Sequence, residues 1–253
     1  MAQPQNYVDK VAKLLAKAES SGVTHDEREA LLAAASRIMV KRGIDAAMLA
    51  AHDPERAAGD LIGKTFADVT GVGPIRYGKE WVTLGIAVAT GMGARAFYHT
   101  PRGSKRIRLL VVAHQSDAER IVQLWRSLQV QATSELARFV AGFPTWNAYD
   151  ESDKYQMRRS FIIGYGRQVG SRLRALRAET VAEASITEPG TDVALRDRES
   201  QIDAWMTKEM GKIGKARDRQ YDQVGDLAGR VAGSRADIGQ TTLDTGMRRL
   251  GAA

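Results

Sequence analysis

The chain has 253 residues, a formal net charge of +7 and no cysteine. Disulfides and thiolate metal sites are excluded, and no apolar run is long enough to span a membrane. Hydrophobic residues make up 43% and aromatic residues 6%, so alanine must fill much of a sizeable core and a helix-rich protein is expected.

The opening MAQPQNYVDK lacks the basic-then-apolar pattern of a secretory signal. With the absence of cysteine, this points to the cytoplasm, and no membrane partner is expected. From Tyr7 to Gly43 the spacing predicts a helical hairpin. Val8, Val11, Leu15 and Ala18 make one apolar stripe, and Leu31, Leu32, Ala35, Ile38 and Met39 make another. Ser20-Ser21-Gly22 separates them, and Thr24 with Glu27 forms a capping box for the second helix. Lys41, Arg42 and Gly43 suit its C-terminal end. Both stripes are narrow, so the pair needs something to dock on.

Asp45 can cap a short helical turn, and a polar linker with Pro54 follows. Leu61 to Val69 reads as a strand, Tyr77 to Met92 as a helix and Arg95 to Thr100 as a second strand. Pro101-Arg102-Gly103-Ser104 is a turn. Arg106 to Ala113 (RIRLLVVA) is the clearest strand, short and β-branched. Ser116 and Glu119 predict a capped amphipathic helix carrying Ala118, Ile121, Trp125, Leu128, Ala132 and Phe139, ending near Gly142. An aromatic loop (Phe143, Trp146, Tyr149) leads to a long basic helix, capped by Ser152 or Asp153 and stopped by Glu188-Pro189-Gly190. A charged helix is expected from about Asp192 to Gln220. Gly225, Gly229 and Gly233 then recur every fourth residue in a Gly-rich tail, which either packs closely on another helix or stays disordered until a partner orders it. The expected fold is α+β: an N-terminal helical hairpin module over 1–58, an α+β core domain over 59–190 with a small antiparallel sheet of about three strands covered by helices, and a charged helix with a flexible Gly-rich tail over 191–253.

Charge is distributed unevenly. Residues 1–58 carry eight basic and eight acidic side chains, whereas 154–177 carry seven basic ones and no acid. Arg158, Arg159, Arg167, Arg172, Arg174 and Arg177 are therefore candidate contacts to nucleic-acid phosphates or to an acidic protein surface. The bland reading is neutralisation by neighbouring helices, notably by Glu179, Glu183, Glu199 and Glu209. Phe143, Trp146 and Tyr149 are candidate anchors for a partner, or fold back over the core. Gly59 to Thr65 invites a phosphate-loop reading, but three residues rather than four separate its first glycine from Gly63-Lys64-Thr65. Its plain reading is a strand entering a sheet. His25, His52, His99 and His114 lack metal-ligand spacing, and no serine sits in a nucleophile elbow. No catalytic residue, metal or cofactor is expected.

The hairpin resembles the N-terminal module of the family called domain of unknown function 2786, common in actinobacterial and actinophage proteins. The resemblance rests on KVAKLLAKAE (Lys10 to Glu19), EREALLAAA (Glu27 to Ala35) and RIMVKRGI (Arg37 to Ile44). With the strand-turn-strand of Arg95 to Ala113 and the run RRSFIIGY at Arg158 to Tyr165, the chain also resembles recombination directionality factors of large serine integrases. That resemblance implies a non-enzymatic protein that binds an integrase and switches it from integration to excision of a phage genome. DNA would then be engaged chiefly through the integrase, with weak phosphate contacts of its own. Two other readings stay open: a nonspecific DNA-binding accessory protein of phage replication or nucleoid type, and an enzyme with a dispersed site.

Overall fold

The computed structural model describes residues 59–69, 77–104, 106–187, 189–211, 213–214 and 221–238, together with four isolated N-terminal positions. Those four, Lys13, Leu14, Lys17 and Glu27, have helical backbone. The rest of the hairpin, the Asp45 turn and the Pro54 linker lie outside the described residues. Residues 47–236 belong to one compact unit.

Three strands form one antiparallel sheet: β1 (Ile62–Asp68), β2 (Arg95–His99) and β3 (Arg108–His114). β3 lies in the middle, in the order β1-β3-β2, as suits the most apolar segment. The β2–β3 hairpin turns through Pro101 to Ser104, with Gly103 at φ 78° and the Ser104 amide donating to the Pro101 carbonyl. Register places Thr65, Val111 and Ala96 abreast on one face, and Phe66, Leu110 and Phe97 abreast on the other.

The first face packs on α1 (Gly78–Gly91) and α2 (Gln115–Ala141). Leu109, Val111, Leu84, Val88, Ile121, Leu124 and Trp125 fill this core. Trp125 donates its indole N–H to the Trp81 carbonyl at 2.9 Å, which satisfies a group that burial would otherwise penalise. The opposite face carries Leu110 and Val112 and is covered by α4 (Thr191–Glu209) through Ile202, Trp205 and Met206. The sheet is thus enclosed on both faces. α3 (Glu151–Thr187) packs along α1, and α5 (Gln223–Arg235) packs along α3.

The expected mixed α+β fold and its antiparallel sheet are found, and the long C-terminal helices are present. Three local expectations are corrected. Ser116 does not cap α2: the helix starts at Gln115, and the Ser116 amide donates to the Asp60 carboxylate at 3.0 Å. α3 is capped by Asp150, whose carboxylate accepts from the Asp153 amide at 2.8 Å, rather than by Ser152 or Asp153. The charged helix stops at Glu209 instead of running to Gln220. Gly211 and Gly214 follow directly, and glycine is a poor helix former.

The Gly-every-fourth segment takes the close-packing alternative. A Cβ placed on Gly225, Gly229 or Gly233 would stand 2.2, 2.1 or 2.8 Å from the carbonyl oxygens of Met157, Phe161 and Tyr165. From the other side, a Cβ on Gly164 would stand 2.2 Å from the Asp226 carbonyl oxygen. Backbone meets backbone along this seam, which only glycine permits. Asp222 caps α5 by accepting from the Gly225 amide, and its own amide donates to Ser160 Oγ at 2.8 Å.

Candidate partner-binding surface

The basic run on α3 is spread around a helix that is packed on several sides, so its arginines meet different neighbours. Arg159 is buried and donates to Glu80 of α1 at 2.8 Å, with both side chains under a tenth exposed. Gln156 accepts a further bond from Arg159 at 3.0 Å. Arg167 pairs with Asp226 of α5 at 3.0 Å and lies over the Tyr221 ring. Arg172 donates to the carbonyls of Gly233 and Ala236 at the end of α5, where the helix leaves carbonyls unpaired. Arg177 bonds Glu199 of α4 at 2.6 Å. It also covers Gly93, whose φ of 87° closes α1 and whose missing Cβ makes room for the guanidinium. Arg158 stacks over Trp146, 4.9 Å from the ring centroid. Arg174 is exposed.

Five of these six candidates therefore tie α3 to α1, α4, α5 and the aromatic loop. Of the neutralising acids expected from sequence, Glu199 does serve Arg177, while Glu80 and Asp226 take Arg159 and Arg167. The run does not form one continuous basic face.

Phe143, Trp146 and Tyr149 do come together. Phe143 meets Trp146 edge-on at 6.0 Å and Tyr149 at 5.8 Å, and Phe139 links the group to buried Phe161 at 5.4 Å. Trp146 is 9% exposed. The loop thus folds back over the α2–α3 junction, and Phe143 and Tyr149 stay half-buried at its rim.

The segment Gly59 to Thr65 leads into β1, as its plain reading required. Lys64 spans the α4 side of the sheet, donating to the Glu209 carbonyl at 3.3 Å and lying over Trp205. His114 ends β3 with Nδ1 2.9 Å from the Asp60 carbonyl oxygen, and the His99 ring lies against Phe66. His25 and His52 lie outside the described residues. Among the described residues, no three His, Asp or Glu side chains are gathered to hold a metal ion, and no helix is long and apolar enough to cross a membrane.

Sequence reading missed one polar cluster. Asp60, just before β1, accepts from the Ser116 amide at 3.0 Å, from its hydroxyl at 2.8 Å and from Arg198 of α4 at 3.1 Å. Arg198 also bonds Asp117 at 2.9 Å. Burial alone would raise the Asp60 pKa, but the two Ser116 bonds and the Arg198 charge outweigh it and hold the carboxyl below its ordinary value. This cluster locks α4 to the start of α2. No local pattern could have revealed it, because Asp60 and Arg198 are 138 residues apart.

With the geometry in view, the comparisons can be placed. Residues 6–46 match the family described as Protein of unknown function (DUF2786). The match covers the segment where the sequence predicts a helical hairpin and ends at residue 46. No curated protein and no solved structure matches the chain.

Proposed function

We propose that this chain is a protein-binding regulator of site-specific recombination: a recombination directionality factor that docks on a large serine integrase and switches it from integration to excision of a phage genome. Two things support this reading. One is the resemblance carried by the hairpin, the strand-turn-strand of Arg95 to Ala113 and the run Arg158 to Tyr165. The other, which weighs most against the direct DNA-binding alternative, is that the arginines of α3 are held by internal partners. A helix gripping phosphates needs its guanidiniums free to displace counterions, and here Arg159, Arg172 and Arg177 are engaged inside the fold, while Arg167 shares Asp226 and stays about half exposed.

Such a regulator has no chemistry of its own to perform. It acts by binding one conformation of the integrase–DNA complex more tightly than the other. Moving that equilibrium from about 1:99 to 99:1 takes a differential affinity of roughly 10⁴-fold. The experiment is an in vitro recombination assay with a cognate integrase. Adding this protein should start attL × attR recombination and suppress attP × attB recombination. If neither reaction changes, the proposal is wrong and the nonspecific DNA-binding reading takes its place, to be read from a steep fall of DNA affinity with salt.

A further inference from the structure

α5 docks through glycines, and its larger apolar side chains lie on the outer side of the helix. Val224, Leu227 and Val231 recur on one side of the helix and are 46%, 63% and 49% exposed. A helix that binds its neighbour backbone to backbone gains nothing for its own fold from leucine or valine on its outer side, because exposed apolar groups give no burial. The ridge therefore requires an explanation from outside the folded unit.

The charge around it says what kind. Asp226 is 6% exposed and is shared by Arg167 and Arg230, whose side chains are 47% and 54% exposed. Glu135 of α2 is 20% exposed and is shared by Arg138 and Arg235, which are 53% and 67% exposed. The outward guanidiniums of Arg167 and Arg230 thus share one carboxylate that lies beneath the surface, and the exposed Arg235 reaches Glu135 beside Arg138. Arg230 and Arg235 fall on opposite flanks of the ridge at 100° per residue. The ridge is apolar along its crest and carries excess positive charge at its edges.

We propose that this ridge is a docking site for an acidic amphipathic helix of a partner protein. Such a helix would lay leucine-type side chains along Val224, Leu227 and Val231 and set its carboxylates against Arg230 and Arg235. A second copy of this chain does not fit, because two basic rims would face each other. Nucleic acid fits the arginines but leaves the crest against a charged backbone.

The test uses the full chain and a fluorescent synthetic helix with leucines at i, i+3, i+4 and i+7 and glutamates on both flanks. Fluorescence anisotropy should show binding, and replacing the glutamates by lysine or the leucines by serine should weaken it by about tenfold or more. Leu227→Asp with Val231→Asp should weaken it similarly while the circular dichroism and melting temperature stay unchanged. Arg230→Gln with Arg235→Gln, which leaves Arg167 on Asp226, should do so without touching the crest. Equal binding of all three peptides, or binding unchanged by both double variants, overturns the proposal. So does duplex DNA that binds more tightly than the acidic helix and is weakened by the arginine variant alone. Because the probe is not an integrase, the outcome is independent of the recombination assay.

Discussion

Gly229→Ala is the sharpest perturbation of the seam that joins α5 to α3. The added Cβ would stand 2.1 Å from the Phe161 carbonyl oxygen and 2.8 Å from its carbonyl carbon. The obstacle is helix backbone, so no side chain can rotate away, and α5 must back off by about an ångström. Because a helix moves as a rod, that displacement also loosens the contacts at Gly225 and Gly233. Overpacking of this kind costs about 1–3 kcal/mol, and more where the obstacle cannot yield. Alanine returns about 1 kcal/mol through its better helix propensity. A net loss of about 2 kcal/mol is expected, which for a chain of this size lowers Tm by roughly 4–8 °C. Ser234→Ala, on the exposed side of the same helix, supplies the control and should leave Tm unchanged or slightly raised. The assay is urea unfolding followed by circular dichroism, with thermal melts alongside. If Gly229→Ala proves as stable as the parent, or gains the kilocalorie that propensity alone gives, then α5 does not pack on α3 as described.

Three other expectations follow from the same geometry. Glu80→Gln leaves the buried Arg159 charge without its carboxylate and should cost about 3–5 kcal/mol, much of it regained in a Glu80→Leu, Arg159→Met pair; a single-variant loss under about 1 kcal/mol in urea unfolding would contradict the buried ion pair. Asp60 has a folded-state pKa below its unfolded value of 3.8, so its contribution is present above that value and lost as pH falls through the folded one. Asp60→Asn should therefore shrink the stability difference between pH 7 and pH 3, and an acid limb identical to the parent's would count against the cluster with Ser116 and Arg198. Trp146→Ala should cost about 3 kcal/mol if the aromatic loop closes the α2–α3 junction, whereas an unchanged unfolding midpoint would return Trp146 to the role of partner anchor.

The sheet was legible because its signals are local. RLLVVA can be little other than a central strand, and Gly103 and Gly93 mark their turns. The bounds of α1 and the end of α2 are likewise readable from apolar period and glycine. What could not be read were pairings across long separations. Arg159 finds Glu80 at 79 residues, Arg167 finds Asp226 at 59, and Ser116 is capped by Asp60 at 56. A run of arginines without a neighbouring acid looks like a free basic face only while its partners are unseen. The capping-box pattern at Ser116 misled for the same reason: Asp60 of a distant segment supplied the cap. The glycine stripe stood between two readings until the carbonyls of Met157, Phe161 and Tyr165 were placed against it. Of the candidate contacts, Phe143, Trp146 and Tyr149 take the alternative in which the loop folds back over the core, while the exposed ridge of α5 lies in a segment whose most regular pattern is its glycines.

As proposed, the chain recognises a protein rather than DNA. The most direct test measures the affinity of the chain for a cognate integrase in solution, beside its affinity for duplex DNA over a salt series. A stable complex with the integrase is expected, with weak DNA binding that Arg159→Gln and Arg177→Gln alter only as far as they alter folding. DNA affinity that falls steeply with salt, and drops further in those variants while the fold is intact, would contradict it.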